Sequence, residues 1–452
     1  MLLIENEPVD PELFERAVEH LVRHHDTLRL RYEQGAEGWR QRIADWVEQV
    51  FVERIDLTGL SAEEQQAAMM SKATEIQSSI SLTEGPIIRA ARFALGGEKA
   101  AQILIVVHHL AVDGVSWRIL LDDLQTVYQQ LKNGEEVRLP QKTTSFKQWA
   151  ERLAEHAEST HIKREAAYWR ENRAACKLPT DHELAPGTVA DLNTVASQRS
   201  VAVSLSAKET KELLQEVPKA YQTQIHEVLL AALAQTLAVW TGERSILIDL
   251  EGHGRETIAE DLDCSRTVGW FTCLYPLSLT PGETDRPGEV LKAVKEQVRR
   301  VPNGGIGYGL IRYLADEGKE HMGLAGPRAE ISFNYLGQFD EVLARMDTFT
   351  IAQNGLGPER SPRQQRRYLL EVNGKILGGR LEITWNYSEH IHLPSTIEKL
   401  AEQFIAALRE LISHCLSPEA GGYTPSDFPE AELDQSDLDA LMKELSALKE
   451  GK

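Results

Sequence analysis

Apolar residues recur at helical spacing behind Asp10-Pro11-Glu12, at Leu13, Phe14, Ala17, Val18, Leu21 and Val22. The pattern predicts an amphipathic helix with Asp10 as N-cap and Pro11 in its first turn, preceded by a strand-like run from Met1 to Ile4. Gln102 to Val107 is a short continuous apolar run, as expected of a strand buried on both faces. It ends in His108-His109, passes through a loop holding Asp113-Gly114, and enters a helix whose apolar face is Ile119, Leu120, Leu124, Val127, Tyr128 and Leu131. Ser145 to Arg173 reads as one further charged helix. Later strands are predicted at Ser200–Leu205, Ser245–Leu250, Glu330–Tyr335, Tyr368–Val372 and Arg380–Tyr387, with a long helix over Gln224–Trp240.

Strands alternate with amphipathic helices in both halves, so the fold class is α/β or α+β with two similar lobes, of which α/β is the expectation carried forward. From Pro179 to Asn193 the composition shifts to Pro, Gly, Thr, Asp and Ala without periodicity, which marks a boundary. The expected organisation is a first lobe over residues 1–178, a linker at 179–195, a second lobe at 196–416, and an acidic linker with a terminal helix at 417–452. That last stretch has no Lys or Arg between Glu410 and Met442 but eight acidic residues, and closes on a narrow apolar stripe of Leu438, Leu441, Met442, Leu445 and Leu448. Such a stripe packs on its own domain or docks a partner chain.

The 452 residues suit two or three domains or one large two-lobed unit. A net charge of −20 argues against nucleic acid or an anionic membrane as the main partner. Cys176, Cys264, Cys273 and Cys415 are far apart, without metal-ligand spacing, and read as reduced thiols of a cytosolic protein. The uncharged run Val228–Gly242 is too short for a membrane span.

The candidate chemistry centres on His108-His109-Leu-Ala-Val-Asp113-Gly114. Adjacent strand residues point to opposite faces, so one imidazole should enter a cavity and the other should pack into the lobe. Asp113 reads as an organiser that caps the next helix or pairs with an arginine such as Arg118 or Arg266, while Gly114 permits a tight turn. In Ser245–Glu251 the alternation puts Leu247, Asp249 and Glu251 on one face, with Glu251 at the strand end, where a catalytic carboxylate is expected. Burial in a dry cavity would raise its pKa toward that of a useful base. Its ordinary alternative is a surface glutamate paired with Arg255. Asn334 and Tyr335 can donate to a substrate oxygen, or simply end a strand with a satisfied hydroxyl. Gly305-Ile-Gly307-Tyr308-Gly309 lacks the Lys-Ser/Thr of a phosphate loop and reads as a turn or bridge. Trp117, Trp270 and Phe271 read as core. His20, His24 and His25 share a helix without a third metal ligand, and neither a nucleophile elbow nor a dinucleotide motif is present.

The His-His-x-x-x-Asp-Gly string resembles the core motif of the condensation superfamily of nonribosomal peptide synthetases. Glu251-Gly-His-Gly-Arg255-Glu, Arg266-Thr-Val-Gly-Trp-Phe-Thr272, Gly305–Gly309 and Phe333-Asn-Tyr-Leu-Gly-Gln338 follow in the order found in its epimerisation domains, and the match runs from about Leu28 to the C-terminus. The family's opening Pro-Ile-Gln-type motif has no counterpart before Met1, so the chain is expected to be truncated or to begin inside the first element. The resemblance implies two chloramphenicol-acetyltransferase-like lobes in a V-shaped pseudo-dimer, with an active-site tunnel between them. It implies catalysis by His109 and Glu251, supported by His108, Asp113, Gly114, Arg255, Asn334 and Tyr335. The expected substrate is an L-aminoacyl thioester, phenylalanyl by the resemblance, on the 4′-phosphopantetheine arm of a peptidyl carrier domain. No cofactor or metal of the chain's own is expected, because the thioester itself acidifies the α-carbon. Further partners would be the adenylation domain of the same synthetase and, through the C-terminal helix, a downstream synthetase. A condensation domain joining two carrier-bound substrates, or an inactive carrier-docking module, remains open.

Overall fold

The structure is a computed structural model that describes residues 2–5, 8–36, 38–46, 51–97, 99–171, 177–183, 185, 187–315, 328–338, 347–352, 356–357, 359–431, 433–438 and 440–442. The chain forms two compact units that interleave along the sequence. Unit 1 takes residues 1–156, 255–272 and 339–361; unit 2 takes 157–254, 273–338 and 362–452.

Unit 1 is built on a five-stranded sheet of β1 (Leu2–Glu5), β4 (Val52–Asp56), β5 (Ile88–Ala94), β6 (Gln102–Val107) and β11 (Phe349–Ile351), in the order β11-β1-β6-β5-β4. A separate hairpin pairs β2 (Leu30–Gly35) with β3 (Gly38–Ile43). Period-2 alternation divides the sheet's side chains between two cores. Leu3, Ile88, Ala90, Ile103 and Ile105 pack with Phe14, Ala17, Val18 and Leu21 of α1 (Pro11–His24) and Leu120, Leu124, Val127 and Tyr128 of α3 (Gly114–Lys132). Ala91, Phe93 and Leu104 point the other way, onto Met69, Ala73 and Ile76 of α2 (Ala62–Ser78). The strand predicted at 102–107 and the Asp10 cap of α1, whose carboxylate accepts from the Glu12 and Leu13 amides, are found.

Unit 2 carries a six-stranded sheet ordered β7-β13-β12-β10-β8-β9. Its strands are β7 (Gln198–Ser204), β8 (Ile246–Gly252), β9 (Cys273–Leu279), β10 (Ile331–Gln338), β12 (Leu370–Leu377) and β13 (Arg380–Ser388). Helix α9 (Ile225–Thr241) is apolar nearly all round because α10 (Pro287–Arg299) and α12 (Pro394–Cys415) both pack on it. Among the described residues no helix is long and apolar enough to cross a membrane.

Four expectations are corrected. The helix read over 145–173 is two, α4 (Phe146–Ala157) and α5 (Thr160–Glu171), because Ser159 Oγ accepts from the Ile162 amide and starts a new helix. The contiguous lobes 1–178 and 196–416 give way to the interleaved units. Segment 179–195 is no free linker: the buried Asn193 bonds the Arg366 and Tyr368 carbonyls, and the Asp181 amide donates to Ile391. Nor is the start of the acidic tail solvated. Asp427 pairs with the fully buried Lys295 at 2.6 Å and with Arg299 at 2.8 Å, which anchors the tail on α10. Leu438 is buried and Leu441 exposed, while Leu445, Leu448 and Cys176 lie outside the described residues.

Candidate active site

In unit 1, β6 delivers the histidine pair. The His108 amide donates to the Ile87 carbonyl, and its half-buried imidazole accepts the Leu110 N–H at Nδ1, 3.2 Å away, which closes the short turn His109–Ala111. Burial and the neighbouring His109 push the His108 pKa below the usual imidazole value, so the ring stays neutral and keeps its acceptor. His109 points outward, its ring 5.2 Å from that of Trp270. The two rings thus differ in setting, His108 half-buried and His109 exposed.

Asp113 is 2% exposed and serves three donors. It caps α3 at the Ser116 amide (2.7 Å), accepts from the Phe271 amide (3.0 Å), and lies 3.4 Å from Arg255 Nη2. Its arginine is thus Arg255, in place of Arg118 or Arg266; Arg266 pairs with Asp122 and Asp123 instead. Arg255 also donates to the Cys264 and Thr267 carbonyls and stacks 3.9 Å over the Phe271 ring. Burial pulls its pKa down, opposed by Asp113. The Ser116 hydroxyl completes the seam, donating to the Gly269 carbonyl and accepting from the Gly269 amide. The segment 255–272 is thereby tied to the start of α3, which holds Trp270 beside His109. Trp270 is 44% exposed, against the core role expected of it. It lies in a stretch with neither helical nor strand period, so nothing in the pattern marks it. Gly114 is corrected too: it is the first residue of α3 with ordinary backbone angles, and a Cβ there would meet nothing within 4 Å.

In unit 2, β8 runs parallel to β10 and antiparallel to β9, with Leu250 opposite both Phe333 and Tyr275. Asp249 accepts from the Tyr368 hydroxyl at 2.7 Å and pairs with Arg367, and burial together with this carboxylate drives the Tyr368 pKa up. Two residues on, Glu251 leaves the sheet end exposed, and Asn334 Nδ2 donates to its Oε2 at 2.6 Å. The dry, buried setting expected of Glu251 is absent, since the residue is exposed. Asn334, expected to face substrate, holds Glu251. Tyr335 is half-buried, its ring flanking the Gly374 backbone.

Among the described residues one cluster has metal-ligand geometry, His24, His25 and Asp123, whose donor atoms lie within 4.8 Å. Asp123 supplies the third donor that the sequence did not reveal. Its oxygens are already engaged by His25 and Arg266, and a cation would have to displace both. Burial and His25 also lower the His24 pKa.

Compared with known proteins, residues 1–433 match the condensation domain family. The chain is 48% identical over 98% of its length to a linear gramicidin synthase of Brevibacillus parabrevis, and 39% identical over 96% to surfactin synthase subunit 1 of Bacillus subtilis. It spans only 6% and 12% of those two relatives. Among solved structures, it resembles the epimerization domain from the third module of tyrocidine synthetase B, with a TM-score of 0.85 and 35% identity over 92% of both chains. The condensation domain of the Monacolin K polyketide synthase MokA shares the fold at a TM-score of 0.68 and 18% identity, over 93% of this chain and 92% of that one. With nearly its whole length matched, the chain belongs to the condensation domain family.

Proposed function

We propose that the chain is an epimerase that inverts the α-carbon of an L-aminoacyl thioester carried on the phosphopantetheine arm of a peptidyl carrier domain. The observation that carries the reading is Glu251, a carboxylate held out at a strand end by Asn334, in a chain 35% identical to an epimerization domain. Glu251 is one proton-transfer group and His109 the other. One removes the α-proton from one face, leaving an enolate stabilised through the thioester carbonyl, and the other returns a proton to the opposite face. Water displaced by the entering aminoacyl arm would desolvate Glu251 and strengthen it as a base. Gly114, with open space in place of a side chain, leaves room beside the histidine turn.

The carrier and adenylation domains of the same synthetase are the proposed partners, in keeping with relatives many times longer than this chain. Phenylalanine is the proposed side chain. The C-terminal segment is proposed to dock a downstream synthetase, from a point beyond the buried Leu438. A condensing activity is the second reading, favoured by the family match itself.

The test is kinetic. Glu251→Gln and His109→Ala should each lower epimerisation by roughly 10²–10⁴-fold with carrier binding intact. His108→Ala should act through stability, because it removes the cap on the 109–111 turn. A Glu251→Gln enzyme within about threefold of wild type removes that carboxylate from the mechanism.

A further inference from the structure

The segment Asn303–Gly309 packs, within unit 2, between α5 and the strand end that carries Glu251. Asn303, Gly304 and Gly305 are three consecutive left-handed residues, with φ of 44°, 57° and 86°. This reversal lays Gly305 flat on the Tyr275 ring, where a Cβ would come within 2.0 Å of Cδ1. It also aims the Gly304 carbonyl at Cys273 Sγ, 3.7 Å away, and at Gly252, whose hypothetical Cβ would lie 3.0 Å from that oxygen and 2.8 Å from the sulfur. Gly252 pairs with Cys273 and Glu251 with Leu274, so the turn braces both strands where Glu251 projects.

Left-handed backbone is unfavourable for most residues with a Cβ but least so for Asn, and the Asn303 side chain is also anchored. Its Nδ2 donates to Glu165 Oε1 at 2.6 Å. The Glu165 side chain is only 6% exposed, and its other oxygen faces Gly307, where a Cβ would come within 1.9 Å. His161, one turn earlier on α5 (Thr160–Glu171), lies 3.2 Å from Oε1. Burial raises the Glu165 pKa, opposed by Asn303 and His161. A buried carboxylate is retained at a cost, and here its engaged oxygen fixes the one non-glycine residue of the turn.

We propose that Glu165, acting through Asn303, is a positioning residue for Glu251; the proposal rests on the reading of Glu251 as a proton-transfer group. Gly305 and Gly307 then have a use that is neither phosphate binding nor flexibility. They let the backbone pass between Glu165 and Tyr275 closely enough to brace the end of β8.

The experiment uses the full chain with three variants: Glu165→Ala, Glu165→Gln and Asn303→Gly. Asn303→Gly accepts the left-handed backbone while losing the anchor, so it keeps the test open if Glu165→Ala folds poorly. Two readouts are taken, α-deuterium exchange on an L-aminoacyl carrier and amide hydrogen exchange of the peptide spanning Ile246–Gly254. Glu165→Ala and Asn303→Gly should lower kcat by about 10–100-fold with KM within about twofold, as expected of a misplaced group. Both should also speed amide exchange in that peptide. Glu165→Gln, whose amide oxygen still accepts from Asn303, should keep kcat within about threefold of wild type. Unchanged exchange in the peptide for Glu165→Ala and Asn303→Gly, or a Glu165→Gln enzyme as slow as Glu165→Ala, overturns the brace. A wild-type chain that exchanges no α-hydrogen defeats the epimerase reading instead, while the amide-exchange response still judges the brace.

Discussion

Removing the Asp113 carboxylate should destabilise unit 1 through one identifiable charge. Asp113→Ala deletes the cap on the Ser116 amide, the acceptor of the Phe271 amide, and the counter-charge 3.4 Å from Arg255. Asp113 is 2% exposed and the Arg255 side chain 9%, so the guanidinium is left buried. Breaking a buried pair from one side costs about 3–5 kcal/mol, and a lost helix cap about 1 kcal/mol. The two overlap because one carboxylate does both. Arg255 also keeps the Cys264 and Thr267 carbonyls and the Ser116 hydroxyl as acceptors. The expected loss is therefore about 3–4 kcal/mol, or about 6–16 °C in Tm at about 2–4 °C per kcal/mol. Asp113→Asn should recover less than half of this, since a single amide oxygen cannot serve two backbone donors lying on different carboxylate oxygens. The diagnostic variant is Asp113→Ala/Arg255→Met, which removes the orphaned charge and should be more stable than Asp113→Ala alone. Urea and thermal unfolding followed by fluorescence and circular dichroism measure all five proteins, the single variant Arg255→Met included to close the cycle. A loss under about 1 kcal/mol for Asp113→Ala, or strictly additive losses in the double variant, refutes the reasoning.

Asn334→Ala removes a hydrogen bond to a charged group and should slow epimerisation by about 10–100-fold; unchanged turnover would show that Glu251 needs no such support. His392 is fully buried, and burial lowers its pKa to about 4 from the usual 6.5. The folded state keeps it neutral, so its contribution is complete above about pH 6.5 and is lost as pH falls toward 4, a change of about 3 kcal/mol. His392→Phe should flatten that stretch of the stability–pH profile, and a profile as steep as wild type contradicts the assignment. Deleting residues 443–452 spares the buried Leu438 and should leave chiral turnover intact while abolishing transfer to the downstream synthetase. Intact transfer after the deletion sinks the docking role.

The histidine pair and its strand were legible because β6 is buried on both faces and reads as one apolar run. The Asp113 cap was legible because capping is local. Its arginine was not: Arg118, Arg255 and Arg266 are equivalent in sequence, and only the return of segment 255–272 to unit 1 selects Arg255. The same return hid the interleaved units, since no periodicity records which sheet a loop rejoins. The α4–α5 break turned on one serine hydroxyl. The place of Glu251 near a strand end was legible from strand alternation, but its exposure and its bond to Asn334 depend on how β8 and β10 register, which is a property of the sheet.

The most direct measurement supplies the chain with a carrier domain bearing an L-aminoacyl phosphopantetheine thioester in deuterium oxide, then releases the amino acid for chiral separation and mass analysis. The expected result is approach to a mixture of D and L forms, with one deuterium at the α-carbon of the inverted product. An amino acid that stays L and unlabelled contradicts it, and a dipeptide formed with a second loaded carrier, its α-hydrogen retained, assigns the chain to condensation.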